Sequence, residues 1–178
     1  MSHSTSPGDL TLRLTQAGEW DAASVAAVIN DAFSKYDFVG EDRTSAEDLP
    51  VEVGPGEFIL AEREGRLVGT AMVRPSLEGT AEDGGEHRHT SALYLGLVAV
   101  LRAHHGSGIG RRLVARAETI AKERGFEQVI LGTLAEMGNV QYYEELGYRT
   151  VSRERFPAGH WGVTIEHWQH VMLKEINS

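Results

Sequence analysis

The run AHHGSGIGRRL, residues 103–113, puts Gly106, Gly108 and Gly110 at alternate positions between an apolar, strand-like segment (LYLGLVAV, 93–100) and a long amphipathic pattern. The chain therefore passes from a strand into a helix through a stretch almost free of side chains. A helix start exposes unpaired N–H groups and carries roughly +0.5 of a charge from its aligned peptide dipoles. Without Cβ atoms, glycines let anionic oxygens approach those donors closely. The residues thus point to a pyrophosphate cradle built from the amides of His105, Gly106, Ser107, Gly108, Ile109, Gly110 and Arg111, with Arg111 and Arg112 adding positive charge. A P-loop fits poorly, because its lysine and following hydroxyl are missing. A dinucleotide-binding fingerprint fits poorly: the spacing is G-x-G-x-G and the loop comes late in the chain. A glycine-rich turn that only reverses the chain is the remaining alternative.

Around this point the periodicities predict a mixed α/β order. LTLRL (10–14) alternates as a half-buried strand, and apolar residues from Glu19 to Phe33 recur at helical spacing. Residues 34–56 have mixed polarity and read as loop with a short helix. A hairpin follows, with strands over 58–61 and 67–73 turned at Glu64-Gly65. EGTAEDGGEHRHTS reads as a flexible polar insertion. The glycine loop opens a helix over 108–124, with Gly125 past its end and Ile109, Leu113, Ala117, Ile120 and Ala121 in one apolar stripe. EQVILGTL is a buried strand, NVQYYEEL a short helix capped by Asn139 and closed at Gly147, YRTVSRERF a strand, and GVTIEHWQHVMLKEI a last strand. The expected organisation is a disordered polar tail (1–9) and one domain (10–178).

With 178 residues, 17 Lys+Arg against 26 Asp+Glu and a formal net charge of −9, the chain lacks the basic stripe of a nucleic-acid binder. It has no cysteine, so neither a disulfide framework nor a cysteine nucleophile can be part of its chemistry. No segment approaches the ~18 apolar residues of a membrane span, and the N-terminus lacks an apolar signal core. A cytoplasmic protein is expected, and the acidic balance leans slightly toward a cationic acceptor. His87 and His89 in EHRH would share a face if extended, but a polar loop explains them better than a metal pair; His104 and His105 are adjacent and point apart. His167 and His170 face opposite sides of a strand.

LYLGLVAVLRAHHGSGIGRRLVARAETIAKERG resembles the pyrophosphate-binding motif of the GCN5-related N-acetyltransferase (GNAT) family, Arg/Gln-x-x-Gly-x-Gly/Ala after a strand. ILAEREGRLVGTAMV is similar to that family's central hairpin and NVQYYEELGY to its second acyl-CoA motif. His105 stands where the family usually has Arg or Gln. The resemblance implies a mixed, mostly antiparallel twisted sheet with flanking helices and a splayed parallel strand pair. It implies acetyl-CoA as co-substrate, gripped by the cradle and by the main chains of Leu97, Val98 and Val100. The N–H of Val98 would stabilise the thioester oxyanion. Tyr143, four residues before Gly147, would be the acid for the leaving thiolate, with Tyr142 the core residue. Asn139 would reach the pantetheine arm, although it lies closer to the tyrosine than is usual, and capping alone explains it.

The reaction implied is direct attack by a primary amine on the acetyl thioester in a ternary complex. The acceptor is a small molecule or a peptide, and a homodimer is possible at family level. A base is needed for the amine; Glu136, His89, Tyr94 and Glu166 are candidates that the sequence does not rank. Trp161 and Trp168 either line the acceptor pocket or pack. The rival reading is a non-catalytic acyl-CoA-binding regulatory module.

Overall fold

A computed structural model describes residues 9–76 and 91–176. Residues 1–8, most of the expected tail, lie outside the described residues. So does most of the polar insertion, with His87 and His89. Seven strands form a single sheet: β1 (Leu10–Leu14), β2 (Glu57–Arg63), β3 (Arg66–Pro75), β4 (Ala92–Val100), β5 (Gln128–Leu134), β6 (Arg149–Phe156) and β7 (His167–Glu175), ordered β1-β2-β3-β4-β5-β7-β6. Every neighbouring pair is antiparallel except β4 and β5.

The central strands are apolar on both sides because helices cover both faces. On β2, Phe58 and Leu60 meet α1 (Ala22–Phe33), while Ile59 and Ala61 join the core beneath α3 (Ile109–Glu123). Asp21 begins α1 by accepting from the Ser24 amide and hydroxyl, and these bonds to the carboxylate hold its pKa below the usual value. The expected start at Glu19 is thus corrected to Ala22, since Asp21 is the cap. Val25, Ala26, Ile29 and Ala32 give α1 its buried stripe. On α3, Leu113, Ala117 and Ala121 are completely buried. Gly69 on β3 admits that helix: a Cβ there would lie 3.1 Å from Ile109 Cγ2 and 3.2 Å from Leu113 Cδ1.

The short helix expected in the loop after α1 is α2 (Leu49–Val53), and the helix after β5 is α4 (Val140–Glu145). The last strand starts at His167, not at residue 162. A turn over His160–Gly162 takes the first residue of the expected run, with Trp161 in a left-handed backbone conformation (φ 54°). Among the described residues no helix is long and apolar enough to cross a membrane.

The decisive irregularity is between β4 and β5. Their parallel pairing runs only from Ala92–Leu95 against Gln128–Leu131. Beyond it β5 continues with β7 to Leu134, while β4 continues with β3. Between the pairs Met72↔Gly96 and Thr70↔Ala99, β4 carries one extra residue. Leu97 takes a positive φ of 47° there, and its carbonyl accepts from Thr70 Oγ1 at 3.1 Å. A bulge of this kind bends and twists its strand. It turns β4 away from β5 and opens the sheet in the middle.

Candidate active site

The glycine loop lies directly beyond the bulged strand. Gly106 and Gly108 both have φ near +80°, the left-handed region in which a Cβ is costly. Gly108 is the N-cap of α3 and supplies no side-chain cap, so the first-turn amides have no side-chain partner of that kind. Gly110 serves another purpose: a Cβ there would sit 3.3 Å from Tyr142 Oη. Two side chains stitch the loop to its own backbone. His105 Nε2–H donates to the Val100 carbonyl at 2.7 Å, and Ser107 Oγ donates to the His104 carbonyl at 2.5 Å. His105 therefore acts through its side chain on the shape of the loop. This bond engages one of the two lone pairs of the Val100 carbonyl.

Two cavities flank the opened strand. The first, about 410 Å³, runs along the loop and the start of α3. Of the residues singled out from the sequence it brings together Val98, Val100, His105, Gly106, Gly108, Ile109, Gly110, Arg111, Asn139 and Tyr143. Ser107 lines neither cavity, and Leu97 lines the second, of about 580 Å³. Phe33, Val98, Asn139 and Tyr143 belong to both, so the cavities meet at these side chains. Each is of small-molecule size.

Tyr143 is the more buried of the tyrosine pair, at 9% exposure, and Tyr142 is half-buried; the expectation that Tyr142 would be the core residue is reversed. Burial raises the pKa of Tyr143, with smaller contributions from Tyr142, Tyr36 and Tyr94. Its phenol keeps its proton throughout the neutral range. Asn139 stands at the start of α4 but makes no side-chain cap, which corrects the capping expectation. Its Nδ2 donates instead to Tyr36 Oη (3.4 Å), which donates to the Met137 carbonyl (3.4 Å). Tyr36 thus ties the end of α1 to the start of α4 across the junction. Nothing in the loop sequence SKYDFVGED marks that role.

The candidate bases separate clearly. Both oxygens of Glu136 accept from the Trp168 amide at 3.1 Å, and Glu166 pairs with Arg155 at 3.5 Å; neither lines a cavity. Tyr94 lines the second cavity, and burial raises its pKa, a direction opposite to that of a base working at neutral pH. Trp161 lines the second cavity too, whereas Trp168 does not. Sequence reading missed Arg43, Glu52 and Arg74 in its wall. Glu52 accepts from Arg43 Nη2 at 2.6 Å and Nη1 at 3.3 Å, and Arg74 Nη1 donates to the carbonyls of Glu52 and Val53.

The model of the acetyltransferase (GNAT) family matches residues 24–148. The chain belongs to the GNAT family. Among curated relatives, it is 30% identical over 104 residues to the N-alpha-acetyltransferase MAK3 of Arabidopsis thaliana, covering 58% of this chain and 50% of that protein. It is 28% identical over 170 residues to the mycothiol acetyltransferase of Acidothermus cellulolyticus, covering 90% of this chain and 48% of the relative. The chain spans about half the length of such relatives. In three dimensions it resembles a putative acetyltransferase from Salmonella typhimurium solved with its cofactor acetyl-CoA (TM-score 0.66, 17% identity, 95% of each chain). It also resembles the ribosomal-protein-S18-alanine N-acetyltransferase of Escherichia coli (TM-score 0.69, 15% identity, 94% and 96%). These likenesses establish a GNAT fold, with the opened β4/β5 pair at its centre.

Proposed function

We propose that this GNAT chain is an acetyl-CoA-dependent N-acetyltransferase that acts on a primary amine by direct attack in a ternary complex. The observation that carries the reading is the meeting of the two cavities at Val98 and Tyr143. One cavity lies on the glycine cradle and the other opens away from it, so two substrates can face each other across the bulged strand. When bound, acetyl-CoA supplies the acetyl group as an activated thioester.

The chain supplies the rest. Amides of the 105–111 loop and the charge of Arg111 receive the diphosphate, and the strand edge freed beyond Leu95 receives the extended arm. The N–H of Val98 donates to the acetyl oxygen as negative charge builds on it. A C–N bond forms as the C–S bond breaks, and Tyr143 donates its phenolic proton to the departing sulfur. The acceptor nitrogen loses its proton to solvent in the second cavity, and the Tyr143 phenolate regains one from solvent before the next turnover. Among the described residues, Glu52 is the one carboxylate lining either cavity, and it is held by Arg43. Attack without a covalent enzyme intermediate agrees with a chain that has no cysteine.

Calorimetric titration with acetyl-CoA tests this reading. The wild-type protein is expected to bind at micromolar affinity, and Gly108→Asp, which sets a carboxylate in the cradle, to lose that binding. A folded wild-type protein that does not bind acetyl-CoA would remove the basis of the proposal.

A further inference from the structure

The second cavity carries a feature that the acetyl-transfer chemistry does not use. Trp161 is 52% exposed on its rim, although it is among the largest apolar side chains of the protein. Its backbone is left-handed (φ 54°, ψ 25°), which is a genuine outlier for a bulky residue. Strain of this kind persists only where the surroundings enforce it. Here they do. Gly159 (φ 95°) and Gly162 (φ 74°) flank the turn, and the Gly159 amide donates to the Val163 carbonyl at 2.6 Å. The Thr164 amide donates to the Phe38 carbonyl at 2.8 Å, fastening the turn to the loop after α1. The Phe156 ring lies 4.6 Å from the indole, and His160, stacked on Phe156 at 4.3 Å, lies 4.3 Å from it. Buried His167 completes the cluster. The turn holds one indole at the cavity.

Apolar side chains, among them Phe33, Met72 and Leu95, share the wall beside it with the guanidiniums of Arg43 and Arg74, whose positive charge disfavours a polycation. The wall's carboxylate among the described residues, Glu52, is already engaged by Arg43 through two hydrogen bonds. A polyamine or amino sugar has several ammonium groups, each needing an acceptor once water is removed. An amine with one nitrogen and an apolar body needs none beyond the reacting centre, and it gains by covering the indole.

We infer that Trp161 is the acceptor-recognition residue of this protein and that the acceptor is a monoamine with an apolar, ring-bearing body. The inference rests on the acetyltransferase reading for the role of the nitrogen, but not for the binding of the body.

Phenethylamine, spermidine and kanamycin serve as probes for the wild-type protein, Trp161→Phe, Trp161→Ala and Trp161→Gly. With acetyl-CoA present, kcat/KM for phenethylamine is expected to exceed that for the two polycations by about tenfold or more. Trp161→Ala should raise KM for phenethylamine about tenfold with little change in kcat, and Trp161→Phe should restore most of it. Calorimetric binding of phenethylamine, which needs no turnover, should follow the same order. Trp161→Gly gives the readout that a packing role would not: both variants lose the indole's ring contacts, but glycine also removes the left-handed strain that alanine keeps, so its Tm should exceed that of Trp161→Ala while phenethylamine binding is weakened in both. A preference for spermidine or kanamycin overturns the inference, as does unchanged phenethylamine binding in a folded Trp161→Gly protein. Loss of acetyl-CoA binding alone, with Trp161-dependent phenethylamine binding intact, would instead sink the acetyltransferase reading.

Discussion

At the scale of single residues, Tyr143 is the position where burial and chemistry coincide. Desolvation raises its pKa, so the neutral phenol is the stable form, as the proposed proton donation to sulfur requires. Tyr143→Phe keeps the ring packing against Tyr142 and Tyr148 and removes only the proton. It should lower kcat by about 10²-fold or more, the range for loss of a general acid, with the affinity for acetyl-CoA unchanged by calorimetry. The pH dependence follows with its sign. An acid with a raised pKa stays protonated as pH rises, so kcat should climb as the amine deprotonates and show no alkaline limb below about pH 10. An alkaline fall centred near pH 8 would exclude Tyr143 as the acid. His105 shows why a residue's role can escape a motif. As a letter in the sequence it is only a departure from Arg or Gln, whereas its Nε2–H bond to the Val100 carbonyl is visible only once strand and loop are folded together.

At the scale of elements, the cradle is only as well placed as α3 is seated. Gly69 sets that seat, since any side chain there meets Ile109, Leu113 and the Ala61 Cβ at 3.3 Å or less. Gly69→Ala should destabilise the protein by about 1–3 kcal/mol, the usual cost of overpacking, measurable by urea denaturation. It should also weaken acetyl-CoA binding, because lifting the first turn of α3 moves the loop amides. Unchanged affinity in a destabilised Gly69→Ala protein would mean that the loop holds its shape independently of the helix. The element order was legible because each element has one strong period: Leu113, Ala117 and Ala121 for α3, and the alternation of β1. The mixed sheet and the splayed parallel pair, implied by the motif resemblance, are present. What periodicity did not reveal is local. The bulge at Leu97 has no composition signal, since a leucine rarely takes φ > 0. The turn at Trp161 falls between two runs that read as strands, in a stretch (157–161) to which periodicity gives no element. Asn139 looked like a cap because residue type alone favours that reading, while a tyrosine more than a hundred positions earlier takes its side chain.

At the scale of the molecule, the chain has built a sheet with a gap in it. Residues 93–113 supply the strand and glycine loop of the first cavity, which is why the proposed cradle could be read from one stretch of sequence. The second cavity is assembled from Phe33, Arg43, Glu52, Arg74, Trp161 and Gln169, residues spread over six separate elements and loops. No single window contains that pattern, and the acidic bulk composition, which leaned toward a cationic acceptor, says nothing of a wall whose carboxylate is paired. The gap also predicts a global response. Where β4 and β5 part beyond Leu95 and Leu131, backbone groups on the opened edge lose their strand partner, so a ligand lying along that edge restores hydrogen bonds between the two halves of the sheet. Ligand that binds only the folded state stabilises it by RT ln(1 + [L]/Kd), about 2.7 kcal/mol at a hundredfold excess over Kd. For a chain of this size that corresponds to a rise in Tm of about 5–11 °C. Acetyl-CoA should produce this rise in the wild-type protein and not in Gly108→Asp. Amide hydrogen exchange should slow at Val98, in the 105–111 loop and along the facing end of β5, with little change in β1. Protection confined to the loop would mean that the diphosphate is held but the opened strands are not bridged, and the assignment of β4 to the cofactor arm would have to be withdrawn.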